Sequence, residues 1–146
     1  MYPNDGFREL NRDECLRLLT KVPVGRIVHT GNALPAVLPV NFCLDGDGAV
    51  LVRTSAASEL ARAVGGSVVA FEVDEIDPTS FAGWSVVVTG RATVVDDPAG
   101  RERLVRTGPR PWAPSVDGAF IRIDTELVTG RELVGGRTLH GVDLAP

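Results

Sequence analysis

The sequence predicts a mainly β protein, with a single domain over residues 1–146 that is built on a six-stranded antiparallel β-barrel with short flanking helices. Two observations lead to this fold. β-Branched residues cluster in short runs such as Val86-Val87-Val88, which favour strands because stiff side chains pack well on a pleated surface. Apolar and polar residues alternate through several segments, and most of these are separated by short turns rather than by helical crossovers. The Gly-rich tail from about residue 135 is expected to be loose.

Six segments carry the strand pattern, and they cover residues 25–30, 36–44, 49–53, 67–74, 84–95 and 119–125. Turn residues join the first three strands as hairpins, with Gly31-Asn32 at one turn and Asp45-Gly46-Asp47-Gly48 at the next. Small barrels of this kind fill their interior with side chains. A ligand is therefore expected outside the barrel, in a groove or between subunits.

Three short helices are expected around these strands. Asn11 can cap the first helix, and Glu14, three residues later, can return the hydrogen bond. The second helix is expected between residues 55 and 64, and the third begins near Pro98. The segment 106–114 contains three prolines and is expected to be irregular.

The charge and apolarity of the chain exclude several classes of function. The net charge is −4 and the isoelectric point is near 5.1, whereas nucleic-acid binding normally requires a basic face. No apolar stretch approaches the roughly 20 residues that cross a bilayer. Residues 1–5 lack the basic and apolar regions of a signal peptide. We therefore expect a cytoplasmic protein that binds neither nucleic acid nor membrane.

The cysteines and histidines predict no metal site. Cys15 and Cys43 form no CxxC pair, and His29 and His140 add no spacing typical of metal ligands. The apolar surroundings of both cysteines favour free, buried thiols.

A pair of carboxylates, Glu72 and Asp74, is expected on one face of a strand. Such a pair can act as acid and base or bind a metal ion, but pairing with arginines is the interpretation we favour. No nucleophile elbow frames any serine, so hydrolase chemistry is not predicted.

The segment that ends the third strand carries groups that suit a phosphate. Arg53, Thr54, Ser55 and Ser58 offer a guanidinium, three hydroxyls and the N-terminus of the second helix. Arg53 could pair with phosphate oxygens through two hydrogen bonds. The alternative is a surface strand end with an ordinary serine cap.

Several segments together resemble the pyridoxamine 5′-phosphate oxidase-like, FMN-binding split-barrel family, over most of the chain from Asn11 to Arg131. These segments are Gly25-Arg26-Ile27, Leu38-Pro39-Val40-Asn41, Val52-Arg53-Thr54-Ser55-Ala56-Ala57-Ser58-Glu59-Leu60, Phe71-Glu72-Val73-Asp74, Gly83-Trp84-Ser85-Val86-Val87-Val88-Thr89-Gly90-Arg91-Ala92 and Val128-Thr129-Gly130-Arg131.

The resemblance implies a homodimer with two FMN sites at its interface and hydride transfer between the flavin and a small organic substrate. It implies that the strand 37–41 lies along the flavin ring, that the turn 53–58 holds the phosphate, and that Trp84-Ser85 comes from the facing subunit. The implied cofactor-binding residues are Pro39, Val40, Asn41, Arg53, Thr54, Ser55, Ser58, Trp84 and Ser85. No catalytic acid or base is nominated.

Alternatives remain open for the cofactor and for activity. Glu59 stands where members of the family commonly carry a basic residue. The deazaflavin F420 is therefore an alternative to FMN, and Arg91 is a further candidate for the phosphate. A non-catalytic flavin-binding or sensing protein, or a cofactor-free dimeric barrel, is the alternative function. The loop with Arg106, Arg110 and Trp112 could form a wall of a substrate pocket or a dimer contact.

Overall fold

A computed structural model of the chain describes residues 6–55, 59–111 and 118–135. Within these residues there are eight β-strands: β1 Phe7–Leu10, β2 Val24–Gly31, β3 Leu34–Leu44, β4 Val50–Ser55, β5 Val68–Ile76, β6 Ala82–Val95, β7 Gly118–Ile123 and β8 Leu127–Val134. They are accompanied by three α-helices: α1 Arg12–Leu18, which a 3-10 turn extends over Leu19–Lys21, α2 Glu59–Ala63 and α3 Pro98–Thr107. The predicted loose tail lies outside the described residues from position 136 onward.

The barrel closes through antiparallel pairing of six strands, in the order β2, β3, β4, β7, β6, β5 and back to β2. The 14-residue strand β6 takes part in both halves of the barrel. Its first part pairs with β5, and its last four residues pair with β7. The predicted six-stranded antiparallel barrel with short flanking helices is confirmed.

Two further strands, β1 and β8, extend the sheet beyond the first part of β6. The sequence pattern alone ends the strands near residue 125, although the family resemblance marks Val128 to Arg131 as the end of a last strand. β1 has only four residues, too few for a clear alternating pattern, and it is held by pairing with β8.

The helices begin where the sequence places them. Asn11 and Glu14 form the predicted capping box at the start of α1. α3 begins at Pro98, but it continues to Thr107, through the first positions of the segment predicted to be irregular. That helix ends only where Gly108 and a following proline stop it.

A continuous apolar core fills the inside of the barrel. The side chains of alternate residues point inward from each strand, as in Val69, Phe71 and Val73 of β5, which are at most 3% exposed. The Phe42 and Phe71 rings meet edge to face with their centroids 4.8 Å apart. The interior is therefore occupied by side chains, as predicted, and the ligand-accessible surfaces lie outside it.

A smaller apolar cluster holds α3 against the outer surface of β4 and β7. It consists of the buried Leu51, Leu104 and Phe120, with Cys43 and Val95 packed against them. Leu104 is the buried residue of α3, and it anchors the helix one turn before the helix ends at Thr107. Among the described helices, none is long and apolar enough to cross a membrane.

Gly25 leaves room for the Phe71 ring at the centre of the core. A Cβ atom at this position would lie 2.4 Å from Cζ of Phe71, a contact that the backbone or the ring would have to relieve. We expect Gly25→Ala to lower the free energy of unfolding by about 1–3 kcal/mol, the usual cost of overpacking a core.

Urea unfolding measures this effect, and Gly46→Ala is the matched control because a Cβ atom there meets nothing within 4 Å. Equal unfolding midpoints for the two variants would contradict the packing role of Gly25.

Candidate functional site

The outer face of the sheet formed by β8, β6, β5, β2 and β3 carries Ser85 and the Glu72–Asp74 carboxylate pair, which the sequence analysis singled out. Side chains alternate across each strand, so Ser85, Glu72 and Arg26 point away from the core on neighbouring strands. Pro39 lies opposite Arg26 on β3 and is exposed. We call this surface the outer face.

An ion-pair cluster occupies the middle of the outer face. Arg26 Nη1 lies 3.3 Å from Oε1 of Glu72 and 3.4 Å from Oδ2 of Asp74. Burial and the adjacent Asp74 carboxylate raise the pKa of Glu72 to about 7, and Arg26 only partly offsets this shift. Pairing with an arginine, the favoured interpretation of the two carboxylates, is confirmed. Among the described residues, no cluster of His, Cys, Asp and Glu could hold a metal ion.

A shallow cavity of about 330 Å³ lies at the β8 side of the outer face. Ser85 lines it together with Glu9, Val87 and Thr129. The Arg131 guanidinium borders the cavity and stacks over the Phe7 ring, 4.4 Å from its centroid. Ser85 is thus accessible beside a cation, which agrees with a residue that hydrogen-bonds a ligand.

Arg53 is held at the end of β4 in an unusual environment. Its guanidinium lies over the Phe120 ring, with Cζ 5.1 Å from the centroid, and a Cβ atom at Gly118 would lie 2.6 Å from Nε. The Nε atom is buried, and no described residue accepts a hydrogen bond from it. A buried guanidinium N–H without an acceptor is costly, so this atom is satisfied best by an acceptor from outside the described chain.

Asn41 connects β3 to the loop that follows α3. Its Nδ2 donates a hydrogen bond of 2.9 Å to the backbone carbonyl of Arg110. The last pair between β3 and β4 joins Phe42 to Val52, so Asn41 and Arg53 occupy the next position on their diverging strands. Both point to the side of the sheet on which α3 lies. The structure therefore brings Asn41, Arg53 and the post-α3 loop to one border of the outer face.

The structure describes only some of the other predicted phosphate ligands. Thr54 and Ser55 follow Arg53 on β4, where they pair with Ala119 and Gly118. Ser58 and the side chain of Glu59 lie outside the described residues. The predicted order of a strand followed by a helix is confirmed, since β4 ends at Ser55 and α2 begins at Glu59.

Two predicted cofactor-binding residues face the core, so their contact with a ligand stays a prediction. Val40 and Trp84 have side chains that belong to the barrel core, 3% and 9% exposed. Strand alternation is the reason: each stands next to an outward-facing residue, Asn41 or Ser85, and points the opposite way. Within one chain, the Trp84 indole therefore does not face the outer face, and Val40 could reach a ligand there only through its backbone.

Several remaining candidates have structural partners. Arg91 donates a hydrogen bond to the backbone carbonyl of Gly66, which follows α2, so its role at a phosphate stays a prediction. Arg106 forms an i,i+4 ion pair with Glu102 on the exposed side of α3. Trp112 and His140 lie outside the described residues.

The two thiols are free, as predicted, but they differ in burial. Cys15, on the inner side of α1, is fully buried, whereas Cys43 is only partly buried. Burial raises the pKa of both thiols. Neither thiol therefore has the low pKa of a nucleophile.

Sequence reasoning missed Phe7 and Glu9 as neighbours of Ser85, and it missed the bond from Asn41 to Arg110. The first omission follows from the shortness of β1, whose four residues alternate too briefly to be recognised. The second involves residues 69 positions apart that meet only after α3 has packed on the barrel. No local sequence pattern predicts such a contact.

Glu72 makes the stability of the protein depend on pH. Because folding raises the pKa of this carboxyl above its ordinary value near 4.5, the folded state holds the proton more tightly. Stability should therefore fall as the pH rises from about 5 to about 7, and level off above that. We expect Glu72→Gln to remove most of this fall and to be about 1–2 kcal/mol more stable than the wild type at pH 8.

Urea unfolding between pH 5 and pH 8, at one protein concentration, tests this expectation. Glu75→Gln is the control, since Glu75 is an exposed carboxylate on the same strand. If the free energy of unfolding falls equally for Glu72→Gln and the wild type between pH 5 and pH 8, folding does not raise the pKa of Glu72.

The fold and site can be compared with known proteins. The family model for pyridoxamine 5′-phosphate oxidase matches residues 11–132. An uncharacterized protein of Mycobacterium tuberculosis is 45% identical over 131 residues, covering 86% of this chain and 85% of that protein. A solved FAD binding protein from Mycobacterium smegmatis is 33% identical, with a TM-score of 0.71 and coverage of 86% of this chain and 96% of that one.

A second solved structure, of a FAD-binding protein from Mesorhizobium loti, is 26% identical with a TM-score of 0.70. It covers 86% of this chain and 97% of that one. The resemblance found in the sequence is thus confirmed by the family match over most of the chain and by the shared fold. The chain belongs to the pyridoxamine 5′-phosphate oxidase family.

Proposed function

We propose that this protein is a flavin nucleotide-binding oxidoreductase that works as a homodimer and transfers hydride between the flavin and a small organic substrate. The observation that carries the proposal is the buried Nε atom of Arg53, which finds no acceptor among the described residues. A cation near the end of a strand, with a buried donor that has no acceptor among the described residues, suits a flavin phosphate.

The residues present fit the phosphate of a flavin. A phosphate oxygen would accept from Arg53 Nε and end its unsatisfied state, and a second oxygen could accept from the same planar guanidinium. Phe120 and Gly118 already fix the position of this group, so little side-chain entropy remains to be lost on binding. The site is therefore organised before the ligand arrives.

The outer face supplies the remaining contacts. Pro39 and Asn41 border the surface on which the ring would lie, and Ser85 offers a hydroxyl for a ring carbonyl or N–H. A bound flavin would itself supply the hydride-transfer chemistry, while the protein binds it, orients it and excludes water. The similar proteins from M. smegmatis and M. loti are FAD-binding proteins. FAD contains FMN as part of its structure, so this similarity favours FMN or FAD over F420.

The homodimer is supported by the apolar part of the outer face. Val28 lies opposite Val37 on one side and opposite Ala70 on the other, which forms an apolar row across three strands. Val37 is 61% exposed in the single chain. A second copy of the chain would cover this row and would bring its own Ser85 to the ring, as the family resemblance implies.

Absorbance and fluorescence of the purified protein test the proposal directly. The protein is titrated with FMN, FAD and F420, and the bound flavin is then mixed with NADPH or NADH. Micromolar binding of FMN or FAD followed by bleaching of the flavin absorbance supports the oxidoreductase. Binding without reduction by any nicotinamide or reduced deazaflavin favours the non-catalytic flavin-binding protein, and absence of binding overturns both.

Arg53→Ala should weaken FMN binding by about 1.5–3 kcal/mol, the usual value of a hydrogen bond to a charged group. This corresponds to a rise in Kd of roughly 10- to 150-fold. Fluorescence quenching of FMN measures the Kd, and riboflavin, which has no phosphate, should bind the variant and the wild type equally.

Arg17→Ala is the control, because Arg17 is an exposed arginine on α1. An unchanged Kd of Arg53→Ala for FMN would refute the assignment of the phosphate to Arg53.

Val37→Asp should separate the dimer, since burying an unpaired carboxylate in an apolar interface costs more than such a contact returns. Light scattering at matched concentration should give a mass near 15.5 kDa for the variant and twice that value for the wild type. Val105→Asp is the control because Val105 is similarly exposed, at 58%, but lies on α3. A monomeric mass for the wild type would contradict the proposed homodimer.

A further inference from the structure

The ion-pair cluster on the outer face, formed by Arg26, Glu72 and Asp74, holds two carboxylates and one cation. Arg26 Nη1 contacts both carboxylates, at 3.3 Å and 3.4 Å, so the two ion pairs share one nitrogen. The side chains of Glu72 and Asp74 are 28% and 29% exposed. With every group ionised the cluster carries one unmatched negative charge, and it is electrically neutral only when one carboxylate holds a proton.

The strands on either side of the cluster bring no second cation to it. On β6, the uncharged Val87 and Ser85 lie opposite the two carboxylates. On β3, Pro39 lies opposite Arg26. The neighbouring side chains of the outer face therefore leave the negative charge unmatched.

The next charged residues of the outer face lie further away, on β8 and β1. Arg131 follows Ser85 on β8, two strands from Asp74 and therefore roughly 10 Å from it, and it forms an ion pair with neither carboxylate of the cluster. Glu9, opposite Arg131 on β1, adds a further carboxylate rather than a cation. Within one chain, only solvent compensates the extra charge of the cluster.

A second copy of the chain on the apolar row would cover this cluster. Val28 and Ala70 of that row lie two residues along their strands from Arg26 and Glu72, a distance of about 7 Å. A stable interface buries about 800 Å² on each partner, which is a patch that reaches roughly 16 Å from its centre. An interface of that size, centred on the apolar row, includes the cluster and removes water from its unmatched charge.

A carboxylate that loses its water without gaining a cation is costly, whereas the protonated acid is neutral. Glu72 is the group of the cluster that accepts a proton more readily. In the single chain, burial and the Asp74 carboxylate already raise the pKa of Glu72 to about 7. Covering the cluster disfavours the ionised form further. The dimer therefore holds more protons than two separate chains near neutral pH.

We propose that the Arg26–Glu72–Asp74 cluster is part of the homodimer interface and that a second copy of the chain binds with uptake of a proton at Glu72, which makes the dimer tighter at pH 6 than at pH 8. This inference rests on the homodimer proposed above, and it adds a dependence of assembly on pH.

Sedimentation equilibrium over a dilution series measures the dimer Kd of the full chain at pH 6, 7 and 8, at one ionic strength. We expect the Kd of the wild type to rise at least about tenfold from pH 6 to pH 8, because each copy releases a proton when the dimer separates. Glu72→Gln is neutral at every pH and should keep a tight, constant Kd. Asp74→Asn should also lose the pH dependence, since it leaves one carboxylate for Arg26.

Glu75→Gln is the matched control, because Glu75 is an exposed carboxylate on the same strand that strand alternation places on the opposite side from Glu72. It should keep the pH dependence of the wild type. A wild-type dimer whose Kd does not change with pH, or a Glu72→Gln variant that keeps the dependence, overturns the inference alone.

A dimer that weakens towards pH 6 and is lost in Arg131→Ala would show that Arg131 of the second copy supplies the missing cation, and this result likewise overturns the inference. A wild type that stays monomeric at every pH contradicts the proposed homodimer itself, and the inference with it.

Discussion

The filled interior of the barrel is the constraint on which the rest of the structure depends. Phe71 occupies the space that Gly25 leaves open, and valines and isoleucines from every barrel strand close around it. Because side chains of the described residues fill the interior, a ligand is expected on the outside of the barrel. The alternation of the strands then decides which residues can face it, and it assigns Ser85 to the surface and Trp84 to the core.

Pairing register, rather than sequence proximity, assembles the border of the outer face. Arg53 and Asn41 belong to strands on either side of a hairpin, and each stands next to the last pair of that hairpin, Phe42 and Val52. Arg110 reaches the same border from α3, since Leu104 packs onto Leu51 and Phe120 and the loop then runs back to Asn41. A small apolar cluster beneath one helix therefore helps to place the backbone of the loop that bonds to Asn41.

Much of this arrangement could be predicted from the sequence, and the exceptions have physical causes. Period-two alternation identified all six barrel strands, and the capping box at Asn11 marked the first helix. The direction of a side chain near the start of a strand was harder to predict. Trp84 follows a glycine, and the sequence fits a position at the barrel rim as well as one in the core. The environment of Arg53 could not be predicted, since Phe120 and Gly118 lie on a strand more than sixty residues further along the chain.

The closing strand has a consequence for how the protein is made. β7 seals the barrel between β4 and β6, yet it is the seventh of the eight described strands in chain order. Until residues 118–123 leave the ribosome, the apolar strand β4 has an edge with unpaired backbone groups. Contacts between such distant segments form slowly, and open strand edges are where chains associate with one another. The nascent barrel is therefore most prone to aggregation during the synthesis of the segment from α3 to β7.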